Sequence, residues 1–255
     1  MKDEGAADEG GALFALLLEE ARSDPRALAF WLGGSRGKGR ATPHSDFDCG
    51  LILVEEAIAG YQDRFGGAFG RGLDLTILTL EQFEALGAWG SKTAWRRYDF
   101  AHLSPLVDRT GRVATLMRER ALVPAEVVDS FIRDSLDHFV NQIYRALKCR
   151  RDGDPIAASL EAAEAATPLL DALFALNGRR LRPYYKYLAW ELTEHALGES
   201  PWSADELPAE LACLAQADPA HLRDMFRKAE RQFRRAGYGE TFDAWGDALE
   251  WMAEG

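Results

Sequence analysis

The amino-acid sequence predicts an α/β module built on a mixed sheet and, after it, an all-α helical domain. Three observations lead there. The first third of the chain runs helix, strand, loop, strand, connection, strand, with strand-length apolar runs between the connections. Two of those strand-like runs carry aspartates flanked by apolar residues. From Pro124 onward strand signals almost vanish, and apolar residues recur at three- and four-residue spacing, the period of a helix face. A domain boundary is therefore expected there, giving domains 1–123 and 124–255.

Residues 1–10, acidic and glycine-rich, read as frayed. Ala12–Arg22 reads as an apolar-faced helix that ends before Asp24-Pro25, because the residue ahead of a proline is pushed out of helical conformation. Ala27–Leu32 is the first strand. It leads into Phe30–Val54, FWLGGSRGKGRATPHSDFDCGLILV, where the strand ends at Gly33-Gly34. A loop rich in Gly, Arg and Lys follows, and then a second strand that opens with Asp46 and Asp48. Glu55–Gly67 reads as a helix or long loop and Leu73–Leu78 as the third strand. Glu81–Leu86 starts a helix, Trp89–Arg97 is rich in Trp and Arg, and Asp108–Gly111 reads as a turn between an apolar strand and a short following element.

In the second domain, Val127–Arg151 places Ile132, Leu136, Phe139, Val140, Ile143 and Leu147 on a core face. Asp134, Asp137, Asn141, Arg145 and Lys148 form the opposite stripe, expected to be solvated. Pro155 suits a helix start. Ile156–Leu176 reads as one helix kinked at Pro168, with Leu160, Ala163, Leu170, Leu173 and Phe174 on its core side. Asn177-Gly178 stops it. Tyr184–Leu197 is a further helix, and three more are expected after Ala204, one with a basic face of Arg223, Arg227, Lys228, Arg231, Arg234 and Arg235 read as solvated surface balanced by nearby acids.

The chemistry concentrates in the Phe30–Val54 stretch. Residues two apart on a strand share a face, so Asp46 and Asp48 project together while Phe47 and Cys49 point the other way. Like charges so placed raise each other's pKa unless a divalent cation sits between them. A Gly-Gly turn lets backbone approach a ligand closely, and a helix beginning near Ser35 would turn free N–H groups toward an anion, phosphate above all. Asp74, sharing a face with Thr76, is a third acid on the next strand-like run. Three acids on adjacent strands can hold two Mg²⁺ ions roughly 3.5 to 4 Å apart, the arrangement for in-line displacement at phosphorus.

Other phosphate motifs do not fit. Gly34 and Gly39 have P-loop spacing, but Arg40 and Ala41 stand where Lys and Ser/Thr are required. A dinucleotide-binding GxGxxG from Gly37 would need glycine at Thr42.

Gly34-Ser35, then Ser45-Asp46-Phe47-Asp48, then Asp74 between Leu73 and Leu75 resemble the signature of polymerase β-type nucleotidyltransferases over residues 28–80. Within that family they look most like the minimal branch containing the aminoglycoside and lincosamide adenylyltransferases. The resemblance implies a nucleotidyltransferase module followed by a helical bundle, with ATP or another nucleoside triphosphate as co-substrate and two Mg²⁺ ions. It implies Asp46, Asp48 and Asp74 as catalytic metal ligands. Gly34, Ser35, Arg36 and Ser45 would lie at the triphosphate, with Lys38 and Arg40 as further positive charge. The pattern Leu-Asn-x-Arg…Pro-Tyr-x-Lys at residues 176–186 resembles the helical domain of the same enzymes, which implies a triphosphate contact for Lys186. The acceptor implied is a hydroxyl of a small molecule such as an antibiotic. Either Asp74 or one of Glu161, Glu164, Glu191 and Glu194 would be the base.

Composition narrows the classes. The 255 residues carry 41 acidic and 30 basic side chains, a net charge of −11, which argues against a broad nucleic-acid-binding surface and suits a cationic small substrate. Cys49, Cys149 and Cys213 have no metal or disulfide spacing, the five histidines show no ligand spacing, and Ala12–Leu18 is too short for a signal peptide or membrane span. A cytoplasmic protein is expected. Two other functions fit the same residues: a protein adenylyltransferase or antitoxin-like nucleotidyltransferase, and a non-catalytic nucleotide-binding interaction protein.

Overall fold

A computed structural model describes residues 4–68, 71–198 and 200–254. The chain divides between Leu122 and Val123 into two compact units.

The first unit contains α1 (Glu4–Ser23), β1 (Ala27–Leu32), the one-turn helix α2 (Gly34–Gly37), β2 (Phe47–Leu53), α3 (Glu55–Phe65) and β3 (Leu73–Leu78). It continues with α4 (Leu80–Ala85), a 3₁₀ segment Ala94–Phe100, β4 (Val107–Asp108) and α5 (Arg112–Arg120). The strands form one sheet in the order β3-β2-β1-β4. β1 is antiparallel to β2 and β4, whereas β2 and β3 are parallel, so the sheet is mixed as predicted. The parallel pair needs a crossover, and α3 supplies it.

Alternation along the strands gives the sheet two apolar faces. Phe30, Cys49, Leu51, Leu53 and Leu73 pack with Leu17 of α1 and Tyr61 and Phe65 of α3. Ala29, Trp31 and Ile52 pack on the other face with Phe83, Phe100, Val113 and Met117. Trp31 stands opposite Gly50 in the antiparallel register, and a Cβ on Gly50 would fall 1.8 Å from the indole. Gly50 therefore makes the slot that the tryptophan fills.

Several local expectations shift. The first helix begins at Glu4 rather than Ala12. Gly10 in this helix allows a close approach: a Cβ there would lie 2.6 Å from the carbonyl oxygen of Gly72. Thr79 opens α4 with a reciprocal cap, its hydroxyl accepting from the Gln82 amide while the Gln82 side chain accepts from the Thr79 amide. The Trp/Arg-rich segment centres on Arg97, buried and donating to the carbonyls of Gly87, Glu119 and Leu122. The Asp108 carboxylate builds the predicted turn, accepting from the amides of Gly111 at 2.9 Å and Ala114 at 2.8 Å.

In the second unit the regular elements are α6 (Val128–Arg151), α7 (Pro155–Glu164), α8 (Ala166–Leu176), α9 (Tyr185–Glu194), α10 (Glu206–Cys213), a 3₁₀ turn Leu214–Gln216, α11 (Pro219–Arg235), α12 (Gly239–Asp243) and α13 (Asp247–Ala253). The expected core face of α6 is buried. Its opposite stripe is only partly solvated: Tyr144 packs against Trp245 and Trp251, and Trp245 donates to Asp137 at 3.0 Å.

The expected helix 156–176 is two helices. A proline clashes with the carbonyl four residues before it and offers that carbonyl no N–H. For Pro168 that residue is Glu164, where α7 ends. The core side of α7 is also corrected. Leu160 is 66% exposed and Ala163 is exposed, while Ala158, Ala162 and Ala165 are buried. A four-residue alanine stripe fits helical periodicity as well as Ile156 and Leu160 do, and it lets α7 approach α6 closely. Of the basic residues of α11, Lys228 pairs with Glu210 and Asp224, and Arg234 with Glu230 and Asp243. Among the described residues no helix is long and apolar enough to cross a membrane.

Candidate active site

Because β1 is antiparallel to β2 and β2 parallel to β3, the C-terminal end of β1 meets the N-terminal ends of β2 and β3 along one edge of the sheet. The sequence stretches singled out above meet there. Asp48 pairs in register with Asp74 across the parallel ladder, where neighbouring strands lie about 4.8 Å apart. Both have the parity of Ile52, so they share a sheet face, and the predicted opposite orientation of Phe47 and Cys49 places those two with the other core. Asp48 is half-buried and Asp74 exposed, so the pair faces solvent rather than a dry interior.

The turn after β1 closes over this pair. The Gly33 amide donates to the Asp48 carbonyl at 2.6 Å. Gly34 adopts φ +53, and a Cβ there would lie 1.7 Å from Asp48 Oδ2. Its lack of a side chain is thus required twice, by backbone conformation and by the carboxylate lying against its Cα. Ser35 follows within α2.

Asp46 precedes β2 by one residue and is half-buried. Neither the Asp46 nor the Asp74 carboxylate enters a hydrogen bond or ion pair among the described residues. The carboxylates of Asp46, Asp48 and Asp74 do not bring three oxygens within 4.8 Å of one another. The donors are oxygens alone, which suits a hard cation such as Mg²⁺. Cys49 does not compete as a thiolate ligand: burial, and after it the negative charges of Asp48 and Asp74, push its thiol up to about 12.

The remaining residues divide. The Ser45 hydroxyl accepts from the Thr42 amide at 2.9 Å and so closes the loop ahead of Asp46. Arg36 donates from Nε and Nη2 to the Ser45 carbonyl, at 3.1 and 2.8 Å, and its guanidinium carbon lies 4.0 Å from the Phe47 ring centroid. Arg40 is exposed. Lys38, expected as further positive charge at the triphosphate, is a buried side chain. It is 7% exposed and its ammonium donates to the carbonyls of Tyr98 and Asp99, each at 3.2 Å, and of Ala101. No local signal marks that role, since the acceptors lie about sixty residues away in sequence and only folding brings them close.

Lys186 belongs to the second unit, exposed in the first turn of α9, with its ammonium 4.8 Å from the Tyr187 ring centroid. Of the four glutamates weighed there as bases, Glu161 is paired with Arg145. Glu191 is 2% exposed and accepts from Arg180 at 2.7 Å. Glu164 and Glu194 are exposed.

No protein-family model matches the chain, and no curated protein does. Among solved structures, a nucleotidyltransferase-like protein from Exiguobacterium sibiricum 255-15 is similar at a TM-score of 0.35 and 11% identity, over 88% of this chain and 80% of that one.

Proposed function

We propose that this chain is a Mg²⁺-dependent nucleotidyltransferase that moves a nucleoside monophosphate, AMP from ATP, to a hydroxyl of a small molecule. The supporting observation is Asp48 and Asp74 abreast on parallel strands beneath the Gly33-Gly34 turn. Two carboxylates abreast on one sheet face repel, and a divalent cation bound between them would relieve that repulsion.

Asp46, Asp48 and Asp74 would hold Mg²⁺, which neutralises charge on phosphoryl oxygens and acidifies a bound hydroxyl. Gly33 and Gly34 would let the triphosphate approach the backbone, and Ser35 would lie beside it. Asp74, the most exposed of the three, takes the acceptor proton. The acceptor oxygen forms a bond to the α-phosphorus, the bond to the bridging oxygen breaks, and pyrophosphate leaves with its electron pair. An acceptor of the aminoglycoside or lincosamide kind matches the net charge of −11, because an acidic surface concentrates cations.

The test is pyrophosphate release across a panel of nucleoside triphosphates, aminoglycosides, lincosamides and candidate protein acceptors, with wild type and Asp48→Ala. Mg²⁺-dependent release with a small-molecule hydroxyl, lost in the variant, supports the proposal. Release only with a protein acceptor, or with no acceptor at all, overturns it.

A further inference from the structure

We infer that Arg36 is a positioning residue for Asp46, and hence for metal binding, rather than a ligand of the triphosphate. The inference rests on the metal-site reading above and goes beyond it by assigning how one of its carboxylates is aimed.

Asp46 lies just outside β2, so the sheet ladder does not fix its backbone. Both of its neighbours are held by one side chain. The Arg36 fork takes the Ser45 carbonyl with two donors, at 3.1 and 2.8 Å, and its guanidinium lies over the Phe47 ring at 4.0 Å. A planar fork bonded to one carbonyl and laid on a ring has little freedom left. The anchor continues inward: Phe47 stacks on Phe14 of α1 at 5.1 Å, and its amide donates to the Gly72 carbonyl at 2.9 Å. Arg36 therefore ties α2, which carries Ser35, to the residues on both sides of Asp46. It makes no ion pair with Asp46 itself, so its charge does not neutralise the carboxylate by contact. Two of its donor nitrogens are taken up by protein, which leaves it poorly placed as a phosphate clamp.

Positioning and simple charge predict opposite signs. A cation near a metal site repels the metal, so if charge were the whole role, Arg36→Met would strengthen metal binding. If positioning dominates, Arg36→Met weakens it, and Arg36→Lys weakens it too, since lysine keeps the charge but loses the fork.

The experiment titrates Mn²⁺ into wild type, Arg36→Lys, Arg36→Met and Phe47→Leu, reading free Mn²⁺ by electron paramagnetic resonance without turnover. Thermal melts check the fold, and inorganic tripolyphosphate binding in EDTA is measured by calorimetry. The expected result is a loss of Mn²⁺ affinity of at least about tenfold in both Arg36 variants, the usual scale for a residue that orients a metal ligand. A smaller loss is expected in Phe47→Leu, with tripolyphosphate affinity unchanged throughout. Phe47→Leu keeps the fork, so it carries the test should an Arg36 variant fail to fold. Unchanged or tighter Mn²⁺ binding, or a loss confined to tripolyphosphate, overturns the inference while leaving the metal site standing. A wild type that binds no Mn²⁺ overturns the metal site and this inference together.

Discussion

Asp48 on β2 and Asp74 on β3 are register partners in a parallel ladder, with both carboxylates on one face and solvent in reach. Two like charges one strand spacing apart repel. Asp74→Asn is thus expected to leave the melting temperature unchanged or raised, and both Asp48→Asn and Asp74→Asn to lower the proposed Mg²⁺-dependent pyrophosphate release about a thousandfold. Thermal melts beside a pyrophosphate assay check this, and a fall in both readouts together would mean the carboxylates hold up the fold instead.

Two glycines should fail in different ways. Gly34→Ala forces a side chain into φ +53 and onto the Asp48 carboxylate, so roughly 1–3 kcal/mol of stability and nearly all activity should go. Gly50→Ala runs into the Trp31 indole, and overpacking of that kind costs roughly 1–3 kcal/mol. Denaturant unfolding with kinetics at a permissive temperature separates the two.

Lys38→Met removes a buried ammonium that serves three carbonyls. Bonds to a charged donor contribute about 1.5–3 kcal/mol each at most, and the orphaned carbonyls lose their partner. A loss of roughly 2–4 kcal/mol is expected, measured by urea unfolding, and Lys38→Arg should recover part of it.

Asp24 accepts from the backbone amide of Arg26 at 2.9 Å and from its Nε at 3.0 Å. The hydrogen bond from Arg26 is the main reason its carboxyl falls to about 2. The folded value lies below the unfolded one of about 3.9, so the contribution is present above about pH 4 and is lost as pH falls toward 2. Asp24→Asn should therefore be less stable than wild type at pH 6, and the gap should narrow between pH 4 and 2. A gap independent of pH would exclude the ionised carboxylate as its source.

On the two helices split near Pro168, Leu160→Gln should change stability by less than about 0.5 kcal/mol, because that side chain is exposed. Leu170→Ala, at a fully buried position, should cost about 2–5 kcal/mol. Parallel unfolding curves decide whether the alanine stripe or the leucine faces the core.

Much of the candidate site was legible because it is local. A glycine pair precedes Asp46 and Asp48, Asp48 opens a strand and Asp74 lies in a short alternating run, so strand periodicity sets the common face of Asp48 and Asp74. The sequence did not reveal what long-range contacts settle. Lys38 and Arg36 both read as positive charge for a triphosphate; folding buries Lys38 against the carbonyls of residues 98–101 and sets the Arg36 fork on the Ser45 carbonyl and the Phe47 ring. Leu160 was assigned to a core that Ala158 and Ala162 occupy, since hydrophobicity cannot tell which of two equally periodic stripes a neighbouring helix will cover.

By itself the sequence determined the elements of the first unit, the mixed sheet and the residue types at its chemical edge, because these follow from periodicity, turn chemistry and charge within short windows. Only the tertiary structure decided that Asp48 and Asp74 are register partners and that the Asp48 carboxylate lies against Gly34. Strand register and the path of a turn are fixed by packing between segments that the sequence keeps far apart.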